Sequence, residues 1–132
     1  MPFTCFALIA GAFAQTPLAG SWHAFAQVNG MTCTFDRVIT AAGRYSEIER
    51  CGPYVTSQSG TYTVFPNHTV SFSVTDFSPR QRYIVGAAPG SGHYEPNATP
   101  PGGTFRYTFT APDTMVWRDV NFGGTITYRR TR

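Results

Sequence analysis

The sequence predicts an all-β protein, a single antiparallel up-and-down barrel of about eight short strands, with a β-sandwich as the alternative. Three observations carry this expectation. The 132 residues include 13 Gly and 10 Pro but only 13% charged residues, a balance that suits short strands and tight turns and leaves long helices without the charge their exposed faces need. Apolar and polar residues alternate in run after run, the period-2 pattern of a sheet with one buried and one wet face. Turn chemistry and cysteine spacing, two unrelated cues, demand the same strand register. A chain of this length supports one core and one domain.

Residues 3 to 14, Phe-Thr-Cys-Phe-Ala-Leu-Ile-Ala-Gly-Ala-Phe-Ala, form an uncharged apolar run ending in the small-x-small pattern Ala12-Phe13-Ala14. That pattern predicts a secretory signal over residues 1–14 and a barrel domain over 15–132. A buried N-terminal strand is the other reading, and the run is too short to span a bilayer, which takes about 20 residues. Cleavage after Ala14 removes Cys5 and leaves Cys33 and Cys51 in an oxidising compartment, periplasmic or extracellular, where a pair is expected to bond.

The first strands follow from their turns. Val28-Asn29-Gly30-Met31 carries Asn-Gly, which tolerates the positive φ that a type I′ hairpin turn requires at both central positions. Pairing Val28 with Met31 places Ala26 opposite Cys33, Ala24 opposite Phe35 and Trp22 opposite Arg37. Trp22, Ala24, Ala26, Val28, Met31, Cys33 and Phe35 then share the inner face. Ala41-Ala42-Gly43 fits a three-residue loop closing Thr40 against Arg44, which sets Cys33 directly opposite Cys51 and Arg37 opposite Glu47. The cysteines fall at a non-hydrogen-bonded pair, where Cα atoms lie about 4.5 Å apart, within disulfide reach.

Gly52-Pro53 ends that strand. Ser59 to Phe65 starts another, which turns at Pro66-Asn67 into Thr69 to Val74. Setting Phe65 against Thr69 pairs Val64 with Val70 and Tyr62 with Phe72. Ser78 to Gly103 breaks the alternation with five prolines around one apolar piece, Tyr83-Ile84-Val85. A stretch this long is either a functional lid, with His93 and Tyr94 as its contacts, or disordered. Strands resume over Thr104–Phe109 and Met115–Val120 and, after Gly123-Gly124, over Thr125–Arg130. Phe105, Tyr107 and Phe109 point inward. In the last hairpin the Trp117 face is preferred over the Val116 face, because the turn then aligns it with Ile126 and Tyr128.

A meander of this kind leaves its first and last strands with open edges unless they meet, and closure into a barrel solves that. Eight strands leave room for side chains or for one small ligand. With its Gly20-Ser21-Trp22 opening and a terminal-strand arginine, Arg129 or Arg130, the chain resembles the lipocalin-like, or calycin, group. The resemblance implies that this arginine packs over Trp22, a contact worth about 0.5 to 2 kcal/mol by cation–π attraction. It also implies a small hydrophobic or aromatic ligand held inside the barrel.

The inward polar set is Arg37, Glu47 and Glu49, joined by Asp119 and Arg130 if the last register holds. Buried charges are costly unless paired, so this set is either a satisfied plug or the specificity end of a pocket. Tyr62, Phe72, Tyr107, Trp117 and Tyr128 could wall such a pocket and are equally explained as packed core. His23, His68 and His93 are scattered, which argues against a metal site, and no cofactor is expected. No nucleophile elbow, phosphate loop or His-Glu-x-x-His motif occurs. The ten basic residues are all arginine and spread from Arg37 to Arg132, unlike the clustered footprint of a nucleic-acid binder. Three functions stay open: a binder of a small hydrophobic molecule, a protein-binding module like the small disulfide-bearing barrels that inhibit proteases or lysozyme, and an enzyme using Glu47 or Asp119 as acid or base. An open cavity of a few hundred Å³ favours the first, and a filled barrel with a projecting N-terminal arm or apolar loop favours the second.

Overall fold

The computed structural model describes residues 18–131, so the expected signal over residues 1–14, Cys5 and the domain's first residues lie outside the described part. Ten strands follow in order: β1 (Gly20–Val28), β2 (Met31–Ile39), β3 (Arg44–Cys51), β4 (Tyr54–Phe65), β5 (Thr69–Ser78), β6 (Gln81–Ile84), β7 (His93–Pro96), β8 (Thr104–Ala111), β9 (Thr114–Asp119) and β10 (Thr125–Arg130). Eight of them close an antiparallel barrel in the order β1-β10-β9-β8-β5-β4-β3-β2, while β6 and β7 pair only with each other. This is the up-and-down barrel the alternation predicts, and it is consistent with a calycin-like fold. No helix among the described residues is long and apolar enough to cross a membrane.

The registers agree with the turn chemistry. Asn29 and Gly30 both take positive φ, as a type I′ turn requires, and Val28 faces Met31 across them. Cys33 faces Cys51 and Arg37 faces Glu47. The two cysteines form a disulfide with Cα atoms 4.2 Å apart. Across the β4–β5 hairpin Val64 meets Val70 and Tyr62 meets Phe72. Ile126 meets Trp117 and Tyr128 meets Met115, so the Trp117 face is the inner one.

Two features depart from the expected layout. Gly52-Pro53 ends β3 as expected, but β4 begins at Tyr54 and not at Ser59 and runs 12 residues, so the two residues form a tight hairpin turn. The proline-rich stretch after Ser78, expected as a functional lid or as disordered, folds back on itself as the β6–β7 hairpin with Tyr83 against Tyr94. Its four-residue strands are exposed, and prolines and glycines on both sides hide so short an alternation.

The ring is closed by two short seams. β1 and β10 pair only at Trp22–Arg130 and His23–Arg129. β5 and β8 pair at three positions, Thr69–Arg106, Val70–Phe105 and Ser71–Thr104. Antiparallel alternation places both seams toward the end that holds the start of β1, the end of β10 and the turns at 40–43, 66–68 and 112–113. Toward the other end, β1 beyond His23 and β5 beyond the Phe72–Gly103 bond have no partner across the seam. The barrel is therefore closed at one end and splayed at the other.

Trp22 anchors the closed end. Its indole nitrogen donates to the Leu18 carbonyl at 2.9 Å, Phe109 packs against its ring, and the Arg130 guanidinium lies 4.3 Å from its ring centroid. Arg130 also donates to the Ala19 carbonyl. Of the two arginines open to this role it is Arg130 that takes it, because Arg129 points to the outer face and donates to Thr114. Gly20 holds φ +144° and a Cβ there would overlap Arg130 Nη1, which gives the glycine of Gly20-Ser21-Trp22 a steric reason.

The bridge closes an 18-residue separation at the splayed end. Cys33→Ser should lower unfolding free energy by about 3 kcal/mol with the far-ultraviolet spectrum unchanged, as read from urea denaturation. A loss of all β-sheet signal would instead make the bond a condition of folding.

Candidate functional site

The barrel interior is organised around one buried ion pair, Arg37 with Glu47. Alternation along β2 sends Arg37 inward two residues after Phe35, and the β2–β3 register brings Glu47 opposite it. The pair meets through Arg37 Nη2 to Glu47 Oε2 at 2.8 Å and Arg37 Nε to the same oxygen at 2.9 Å, with both side chains 7% exposed. Tyr128, from β10 across the barrel, donates its hydroxyl to that oxygen at 3.1 Å. Phe72, Trp117, Tyr45 and Tyr128 surround the guanidinium, its Cζ lying 4.5, 5.2, 5.4 and 5.8 Å from their ring centroids. Phe72 stacks on Trp117 at 5.3 Å with an interplanar angle of 20°. Aromatic faces carry partial negative charge, so this cage recovers part of the solvation that burial removes.

The recovery is incomplete in one respect. Among the described residues, Arg37 Nη1 and the Trp117 indole nitrogen are buried donors with no acceptor. An unmade hydrogen bond at a buried donor costs about 1–3 kcal/mol, and more for a charged group. Both groups border the same aromatic cage, the Arg37 guanidinium lying over the Trp117 ring.

The sequence-predicted residues divide accordingly. Arg37, Glu47, Phe72, Trp117 and Tyr128 come together in this cluster. Tyr62 and Tyr107 are buried in the same core, Tyr62 beside Phe72 and Tyr107 beside Phe109. Asp119 does not join them, because it ends β9 and its Oδ1 accepts the amides of Asn121 and Phe122, capping the next turn. Trp22 and Arg130 belong to the closed end. Glu49 is half-buried, and burial followed by the nearby Glu47 charge raises its carboxyl above the usual range.

Two members escaped the sequence reading. Tyr45 packs edge-on against Phe72 and donates its hydroxyl to Gln58 at 2.8 Å, and Gln58 faces Glu47 across β3–β4. Both were accessible in principle, since Tyr45 shares the face of Glu47 by alternation and Gln58 follows once β4 is started at Tyr54. On the outer wall His23 Nδ1 meets Asp36 Oδ1 at 2.7 Å, with Arg50 on the other oxygen. Among the described residues no three His, Cys, Asp or Glu side chains gather as metal ligands.

No family model and no curated protein matches the chain in sequence. The site's chemistry therefore rests on its own geometry. The paired charges hold one another among the aromatic rings, and among the described residues two buried donors have no protein acceptor. Ala26, Phe35, Glu49 and Ile126, on the inward parity of their strands and toward the splayed end, are among the half-buried residues.

Two outcomes follow. Arg37→Met leaves Glu47 buried and unpaired and should cost about 3–5 kcal/mol, whereas replacing both partners, Arg37→Met with Glu47→Leu, should recover most of that loss in thermal or urea unfolding. Burial is the main cause that holds the Tyr128 phenol well above its ordinary value, with Glu47 adding to it and Arg37 opposing it. The native state thus keeps a proton that the unfolded chain releases near pH 10, so stability is complete below that pH and falls as pH rises through the folded value. Tyr128→Phe should make the alkaline decline shallower by up to about 1.4 kcal/mol per pH unit, measured by urea unfolding from pH 8.5 to 11.5.

Proposed function

We propose that this is a lipocalin-like binding protein of an extracytoplasmic compartment, holding a small apolar or aromatic molecule that carries a hydrogen-bond acceptor. The observation that carries the reading is the pair of unpartnered buried donors, Arg37 Nη1 and Trp117 Nε1, set among aromatic rings. A ligand's carbonyl or carboxylate oxygen would supply the acceptor these donors lack, and half-buried Phe35 and Ile126 offer apolar contacts for its body. The lipocalin likeness is supported by the closed eight-strand ring and by Arg130 over Trp22 beside Gly20. The Cys33–Cys51 bond is compatible with an oxidising location.

A protein-binding module is the second reading. The β6–β7 hairpin favours it, since it pairs with no barrel strand and exposes Tyr83, Tyr94 and Val85. Tyr62, Phe72, Tyr107 and Trp117 are all buried against one another or their neighbours, as a filled barrel requires.

Calorimetric titration with benzoate, 2-naphthoate and their methyl ketones separates the readings. The ligand reading expects saturable binding that weakens about 3- to 10-fold in Trp117→Phe, which removes one donor and keeps an aromatic ring. Failure of every compound to bind, together with no small molecule in solvent extracts of the purified protein, would leave the hairpin reading standing.

A further inference from the structure

On the outer wall, the β8–β9 register sets Arg106 directly opposite Arg118. Like charges directly opposite on antiparallel strands destabilise the sheet, and the neighbouring strands offer no relief. The residue beside Arg106 on β5 is Thr69, and the one beside Arg118 on β10 is Thr125. Arg37, Arg50, Arg80 and Arg82 each have a carboxylate partner. Among the described residues, neither Arg106 nor Arg118 takes part in an ion pair.

Beside this pair lies a groove of about 580 Å³, lined by Arg106, Arg118 and the β9–β10 turn from Asp119 to Gly123. Asp119 is the acid in the lining, and one of its oxygens already accepts two turn amides, so the lining carries a net charge of +1. The same turn leaves Phe122 88% exposed and Val120 55% exposed. A phenyl ring displayed on a turn tip gains nothing from the fold and offers a flat apolar contact next to two cations.

We propose that this groove binds an organic oxyanion: a phosphate or carboxylate on an aromatic or apolar body, with the oxyanion between Arg106 and Arg118 and the body against Phe122. Side chains directly opposite on a strand pair start about 5 Å apart, so both guanidinium forks reach one phosphate, and each can engage two of its oxygens. An anion there converts a repulsive pair into a shared site. The groove faces away from the barrel interior, since Arg118 and Trp117 are consecutive and point to opposite sides of β9. The inference therefore stands apart from the interior site.

The test is calorimetric titration of the whole protein at low ionic strength with phenyl phosphate and with inorganic phosphate. Phenyl phosphate should bind more tightly. Arg106→Gln and Arg118→Gln should each weaken it about tenfold, and Phe122→Ser should bring it down to the affinity of inorganic phosphate. All three positions are exposed, and circular dichroism checks that each variant folds. A parallel sedimentation assay uses vesicles of phosphatidylglycerol in phosphatidylcholine. Vesicle binding that depends on both arginines, without binding of phenyl phosphate, assigns the oxyanion to a lipid headgroup and upholds the site. Equal affinity in the Arg106→Gln/Arg118→Gln double variant, or no saturable binding of either phosphate or vesicles, overturns it. Loss of binding in Trp117→Phe as well would merge this groove with the interior site and overturn their separation.

Discussion

An eight-strand ring exists only if its first and last strands meet, and here that meeting occupies two residue pairs beside Trp22. So short a seam holds because side chains reinforce it from three directions. The indole nitrogen ties Trp22 to Leu18, Arg130 covers the ring face, and the same guanidinium reaches the Ala19 carbonyl. Gly20 provides the space in which the guanidinium lies. Every other relation in the barrel, including the approach of Tyr128 to Glu47 across the interior, depends on β10 being held against β1.

Inside that ring, the buried ion pair is not a simple source of stability. Desolvating two charges costs several kcal/mol each, and an apolar pair of similar volume often does as well. What Arg37 and Glu47 add is position. Glu47 draws donors from β2 and β10 onto one oxygen, and the guanidinium fixes the orientation of four aromatic rings. Within the guanidinium, Nε and Nη2 are held by Glu47, while Nη1, like the Trp117 nitrogen, has no acceptor among the described residues.

Much of this was legible in the residues. Asn29-Gly30 sets the first register, Cys33 and Cys51 confirm the second, and Arg37 opposite Glu47 follows by counting. Trp117 and Tyr128 fell on the correct face because the turn aligned them with their partners. The remainder was hidden for physical reasons. The β6–β7 hairpin buries almost nothing, so its sequence carries little alternation to read. Asp119 keeps the inward parity of β9, but a short acid next to a turn bonds to nearby amides before it can reach the core. The two unpartnered donors are invisible to periodicity, since whether a polar atom has a partner depends on three-dimensional distances and not on spacing along the chain.

The uneven placement of the seams has a mechanical consequence. With β1–β5 joined as one sheet and β8–β10 as another, and the stitches between them confined to the Trp22 end, the molecule is built like tweezers: a rigid pivot at the indole and two blades at the far side. Parting the blades beyond the two seams breaks no ladder hydrogen bond between the sheets, so the far walls are free to flex while the pivot holds β10 against β1.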